Sequence, residues 1–405
     1  MDAIEAKFAR LGTTDAPGQE HRQAPTNLAG VMLGDKLTGD PVDFSHGDVD
    51  AFEPPPGAFD GFVAGVAQGG SQAYTEYLGR GDIRSELAEK LARFTGTQID
   101  GADGLIITPG SQGALFLALS ASVAPGDRVS VVQPDYFANG KIVHFLGGEV
   151  APVRLDYLRG RDGAGLDLSG LEESFASGSR VFVFSNPNNP TGVVYSEAEV
   201  RRIIELASRY GATVIVDQLY SRLCYAGTTY THLCKLGGDL RNLVTIMGPS
   251  KTESLSGYRL GIAFGSPRLI GRMEKLQAIV SLRAAGYNQS VLRSWFAEPP
   301  GWMDERIERH QAIRDHLHRV LSAVDGIRVR VSQAGSYLFP QLPPLKVLPI
   351  DFVRLLRDQA NVIVTPGSEF GPYSADSIRL NFSQDHDKTV DAAERIVKLV
   401  KRYRR

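Results

Sequence analysis

The run Val181-Phe182-Val183-Phe184-Ser185-Asn186-Pro187-Asn188-Asn189-Pro190-Thr191-Gly192 decides how this chain folds. It opens on apolar residues without alternation, as in a strand covered on both faces. It then turns abruptly into Ser, Asn, Pro and Gly, each of which favours a bend for its own reason. A buried strand ending in so polar a loop is the layout of an α/β domain, whose functional loops stand at the carboxyl ends of parallel strands. Comparable apolar runs recur on both sides: Leu105-Ile106-Ile107, Val129-Ser130-Val131-Val132, Val214-Ile215-Val216 and Leu243-Val244-Thr245-Ile246. Between them lie amphipathic stretches such as Ala198–Arg209, apolar at helical spacing. Strand and helix in alternation predict a large, doubly wound, mostly parallel sheet.

Outward from this core the texture changes. The first 70 residues are rich in Gly, Pro, Asp and Ala, with Pro54-Pro55-Pro56 in their midst, and read as an arm without a core of its own. A long helical pattern from Trp302 to Val324 opens the C-terminal part. There, strands expected near Ile327–Val331, Tyr337–Gln341 and Ile378–Ser383 mix with helices at Ile350–Gln359 and Thr389–Tyr403, a smaller α+β unit. The expected division is 1–70, 71–300 and 301–405, the arm contributing to the small domain; a chain of 405 residues exceeds what one core normally serves.

The composition excludes several partners. A net charge of −2 gives no electrostatic reason for nucleic acid or an anionic membrane. No stretch reaches the roughly 20 apolar residues that span a bilayer. Cys224 and Cys234 show no metal-ligand spacing and read as reduced thiols. The N-terminus has no basic segment followed by an apolar run, so a cytoplasmic enzyme is expected.

Chemistry gathers in the loops that follow the strands. Thr108-Pro109-Gly110-Ser111-Gln112-Gly113 joins a strand to a helix, where glycines admit an anion and a helix N-terminus offers free N–H groups. Pro134-Asp135-Tyr136-Phe137 places an aromatic where it could stack on a planar ring. The Ser185–Gly192 run resembles a signature of aminotransferase classes I and II, the fold-type I pyridoxal-phosphate family. Val216-Asp217-Gln218-Leu219-Tyr220 and Ser250-Lys251-Thr252-Glu253-Ser254-Leu255-Ser256-Gly257-Tyr258-Arg259-Leu260-Gly261 are similar to two more of its signatures, in the same order.

The resemblance implies a cofactor, pyridoxal 5′-phosphate, held by Lys251 as a Schiff base. Asp217 would raise the pKa of the ring nitrogen, Tyr220 and Asn189 would bond the phenolic oxygen, and Arg259 would grip the phosphate with Gly110, Ser111, Gln112 and Ser250. Tyr136 would stack on the ring. Ile378-Arg379-Leu380-Asn381 makes Arg379 the clamp for the substrate α-carboxylate, with Gly47 and Asn189 beside it. Tyr74, in Tyr-Thr-Glu-Tyr-Leu-Gly-Arg-Gly-Asp-Ile-Arg, would reach the cofactor phosphate of a neighbouring subunit, implying a homodimer with shared sites. Arg283 stands where aspartate-type enzymes carry an arginine for a distal carboxylate, although its flanking residues match poorly and suit an exposed helix end.

Two positions depart from the family. Gly248 replaces a usual phosphate-binding Ser, and Glu253 puts an unassigned charge close to the lysine. The expected activity is transamination between an amino acid and a 2-oxo acid, by a ping-pong mechanism. The same residues also suit a lyase, cyclase or oxidase. An effector domain of a transcription regulator would need a basic domain ahead of Tyr74, and the segment there is short and Gly/Pro-rich.

Overall fold

The computed structural model describes residues 2–12, 28, 30–47, 51–159, 163–237 and 241–405. Its centre is a sheet of seven strands: β1 (Leu105–Pro109), β2 (Arg128–Gln133), β3 (Glu149–Arg154), β4 (Val181–Ser185), β5 (Thr213–Asp217), β6 (Leu243–Met247) and β7 (Leu260–Gly265). Across the sheet they run in the order β1-β7-β6-β5-β4-β2-β3. Only β7 is antiparallel to its neighbours. The five apolar runs thus form strands of one mostly parallel sheet.

Both faces of that sheet are covered, which explains why the strands read as apolar runs without alternation. Phe182, Phe184, Val214 and Val216 pack on one side with Val200, Ile203 and Leu206 of α2 (Glu197–Tyr210). Val181, Val183, Ile215 and Ile246 pack on the other with Ala114, Leu115 and Ala118 of α1 (Gly110–Ser120). α2 starts on a capping box, the Ser196 side chain taking the Glu199 N–H while the Glu199 carboxylate takes the Ser196 N–H.

A second core lies beside the sheet. It joins Val42, Phe44 and Phe52 of the arm to Leu317 and Leu321 of α3 (Trp302–Ser322), Leu355 of α4 (Pro349–Ala360) and Leu399 of α5 (His386–Tyr403). Val42–Asp43 pairs in parallel with Val362–Ile363, while Ile378–Asn381 lies between Thr365–Pro366 and Tyr337–Leu338 in an antiparallel sheet. The strand expected at Ile327–Val331 does not form; one bridge, Arg328 to Gln341, is all that pairs there. Alternating apolar residues specify a face, but a strand also needs a partner edge along its length.

Candidate active site

The five parallel strands that precede functional loops, β1, β2, β4, β5 and β6, all end on one edge of the sheet. Their loops open into one cavity of about 280 Å³, closed on the other side by Ser45, Tyr337 and Arg379 from the arm and the C-terminal lobe. From β1 come Ser111 and Gln112, from β2 Tyr136, from β4 Asn189, from β5 Asp217 and Tyr220, and from β6 Ser250 and Lys251. Arg259 reaches the same edge because β7 begins there.

One end of the cavity suits an anion. α1 presents its first N–H groups there. Gly110 has φ +75°, and a Cβ on it would stand 2.5 Å from Arg259 Nη2, so the guanidinium occupies the space the glycine leaves. The buried Ser111 hydroxyl has no hydrogen-bond partner among the described residues. A Cβ at Gly248 would lie 2.7 Å from that same oxygen, so the glycine leaves Ser111 its position. The Ser250 hydroxyl donates to the Leu260 carbonyl, 3.3 Å away.

The cavity floor suits a cation. Asp217 accepts a hydrogen bond from the Leu219 N–H at 2.9 Å and has no ion-pair partner among the described residues. Burial pushes its carboxyl up to about 6, against that hydrogen bond. Neighbouring Asp135, whose carboxyl burial pushes up to about 7, instead braces the loops, accepting from the Ser185 N–H and hydroxyl and from the Asn188 amide. Tyr136 donates to Gln112 Oε1 at 2.9 Å, fixing both at the mouth.

Arg379 forms the third feature. It is buried, its Nη1 donating to Asn189 Oδ1 (3.1 Å) and its Nη2 to the Ser45 carbonyl (2.8 Å). Among the described residues its Nε finds no acceptor, an unspent donor on a buried cation. Tyr337 was not anticipated: its hydroxyl meets that of Tyr220 at 2.5 Å, and its ring lies 4.7 Å from the Arg379 guanidinium. An aromatic on a short strand carries the same signal as a core residue, so nothing local distinguished it. Burial, foremost, holds the Tyr220 phenol protonated far above its ordinary range.

Two expected residues lie apart. Gly47 lines an adjoining cavity that shares Lys251 and Tyr220 with the first. Tyr74 is 82% exposed on the outer surface, with the Arg283 guanidinium 5.3 Å from its ring.

These features fit pyridoxal phosphate: an anion cup with an unpartnered hydroxyl, a half-buried carboxylate without an ion pair among the described residues, and Lys251 lining the same cavity. The comparisons with known proteins agree. The model of aminotransferase class I and II matches residues 43–396. An aspartate aminotransferase of Sulfolobus acidocaldarius is 30% identical over 82% of this chain and 83% of its own. A crystal structure of an aspartate aminotransferase from Rhodobacter sphaeroides superposes with a TM-score of 0.95 at 64% identity, covering 100% of both chains. An aromatic aminotransferase of Pyrococcus horikoshii shares the fold, with a TM-score of 0.83 at 23% identity over 90% of this chain and 96% of its own. The chain therefore belongs to aminotransferase class I and II, a family of pyridoxal-phosphate-dependent enzymes, and is an aminotransferase.

Proposed function

We propose that Lys251 carries pyridoxal phosphate as a Schiff base and that the enzyme moves an amino group from aspartate to a 2-oxo acid in two half-reactions. The observation that carries this is Asp217, a half-buried carboxylate without a cation partner among the described residues, in one cavity with Lys251 and Arg379, whose Nε is unspent. The names of the relatives supply aspartate as the first donor to test.

When bound, the cofactor supplies a sink for the electron pair left when the substrate Cα loses its proton. The chain's residues do the rest. Asp217 holds positive charge at the ring nitrogen, which returns its own carboxyl to the ionised form. Tyr220 offers its hydroxyl, and Asn189 its amide N–H, to the phenolic oxygen. Ser111, Gln112, Ser250, Arg259 and the N-terminus of α1 would hold the phosphate, and Tyr136 would stack on the ring. Arg379 fixes the α-carboxylate beside Gly47, which leaves Cα facing the Lys251 amine. Freed when the substrate amine takes its place, the Lys251 Nζ would be the base that holds and returns the Cα proton within one geometry.

The enzyme is proposed to be a cytoplasmic homodimer divided at 1–70, 71–300 and 301–405. Ile279, Val280 and Leu282 lie exposed next to Arg283 and its partner ring Tyr74, an apolar face that a second copy would cover. There Tyr74 would reach the partner subunit's phosphate. Among the described residues no helix is long and apolar enough to cross a membrane.

A panel of amino donors with 2-oxoglutarate or pyruvate tests the reading. Aspartate alone should leave the enzyme-bound cofactor in its amine form, and an added oxo acid should restore the starting absorbance. Release of ammonia with the starting absorbance regenerated would mark a lyase and overturn transamination.

A further inference from the structure

Glu253 follows Lys251 by two residues and its side chain is 1% exposed. Arg222 follows Tyr220 by the same spacing and points at it, Nη1 to Glu253 Oε1 at 2.5 Å. The same guanidinium grips Glu298 with both arms, at 2.8 and 3.0 Å, and lies 4.0 Å from the Phe296 ring. Glu298 precedes α3, so one arginine joins the lysine loop, the tyrosine loop and the passage into the second core.

A second arginine holds the lysine loop from the opposite side. Arg306 of α3 donates to the Thr252 carbonyl at 2.7 Å and to the Ser254 hydroxyl at 2.9 Å. It also bonds the Glu53 carbonyl of the arm and stacks on Trp302, 4.2 Å from the ring. The loop needs such holding, because Ser254 sits at φ +56°, a left-handed conformation that disfavours a residue with a side chain. Stability alone does not explain two buried charges, Glu253 and Arg306, and two half-buried ones, Arg222 and Glu298, since well-packed apolar residues commonly serve the fold as well as such ion pairs do.

We propose that Glu253 is a positioning residue for Lys251: through Arg222 it holds the lysine loop in register with the Tyr220 loop, while Arg306 locks the same loop to α3. The groups facing Glu253 are Arg222, Glu298, Arg306 and the Trp295 indole. Burial pushes its carboxyl up to about 7 while Arg222 draws it down, so the tie depends on the arginine staying close. Glu298 is half-buried, and Arg222 brings it below its ordinary value.

The inference rests on Lys251 carrying the cofactor, and one experiment separates the two ideas. The visible absorbance of the lysine–cofactor bond is titrated with pH in the holoenzyme, alongside kcat and KM. In Glu253→Gln, which keeps shape and removes charge, the titration midpoint should move by about 0.5 unit or more. kcat should fall about tenfold, with KM for the amino donor within about twofold, as for a misplaced reacting group. Arg222→Gln should give the same shift, and the double variant no more than either alone. Arg306→Lys, which keeps charge but loses the fork, should also move the midpoint, and it decides the matter should Glu253→Gln not fold. Folded variants whose titrations superpose on the parent would overturn the proposal, whatever their melting temperatures. A parent enzyme without the visible band would overturn the Lys251 reading itself.

Discussion

Asp217→Asn separates what this carboxylate does to the fold from what it does for the cofactor. In the cofactor-free protein its carboxyl titrates near 6 instead of the ordinary 3.8, because burial penalises the charge. A group whose folded pKa is raised adds stability below its unfolded value and loses it as pH rises through the folded one. The difference of about two units corresponds to about 3 kcal/mol at full value, using roughly 1.36 kcal/mol per unit. The carboxylate faces a cavity that water can enter, so about 1–2 kcal/mol is the figure to expect after screening. Asn at 217 keeps the shape and removes the penalty. Cofactor-free Asp217→Asn should therefore melt about 1–3 °C above the parent at pH 8. The gain should shrink as pH falls through about 6 and vanish near 4. Holoenzyme should behave oppositely, since the lost charge pair weakens cofactor binding about 10–100-fold and lowers kcat about 100–1000-fold. Differential scanning fluorimetry across pH, with and without cofactor, checks both halves. Equal melting of parent and variant at pH 8 without cofactor would refute the reasoning.

Four further outcomes are expected. Lys251→Ala should abolish turnover and the Schiff-base absorbance while leaving circular dichroism unchanged. Arg379→Ala removes a buried clamp, and KM for the amino donor should rise about 10–100-fold, read in steady-state kinetics. Gly248→Ala puts a methyl 2.7 Å from Ser111 Oγ. Cofactor affinity should drop about tenfold by fluorescence titration, and adding Ser111→Ala should cost nothing further, as expected of sites sharing one contact. Tyr74→Phe should weaken cofactor retention, and hybrids with Lys251→Ala chains should recover one intact site per dimer, about half the parent activity.

Much of the fold was legible because its determinants are local. The runs at Val181, Val214 and Leu243 are apolar on both sides, and the structure buries both sides. Polar loops after them stand at strand ends because backbone geometry leaves them nowhere else to go. Ile327–Val331 failed as a strand for a non-local reason: its only pairing is the Arg328 bridge, and Pro343 and Pro344 close the partner segment. By itself the arm has no core. Its Phe44 and Phe52 become core only against α3 and the C-terminal strands, more than 200 residues away in sequence.

The site divides along the same line. Asp217, Tyr220 and Lys251 sit in short motifs that resemble the family's signatures, so the resemblance joined them, and one cavity holds all three. Tyr337 and the Arg222–Glu253–Glu298 cluster have no such spacing, because each partner comes from a different loop. Glu253 shows what this means physically. Alone it is a carboxylate beside a lysine, and two opposite charges so near would pair if nothing intervened. The fold instead turns it away from the cavity toward Arg222, and neither cavity that holds Lys251 includes it. Among the described residues the first cavity is thereby left with one carboxylate near Lys251, Asp217, the group proposed to face the cofactor's ring nitrogen. A charge that looked like a disturbance near the reactive amine is spent on holding that amine's loop, which is why Glu253→Gln should disturb the lysine without touching it.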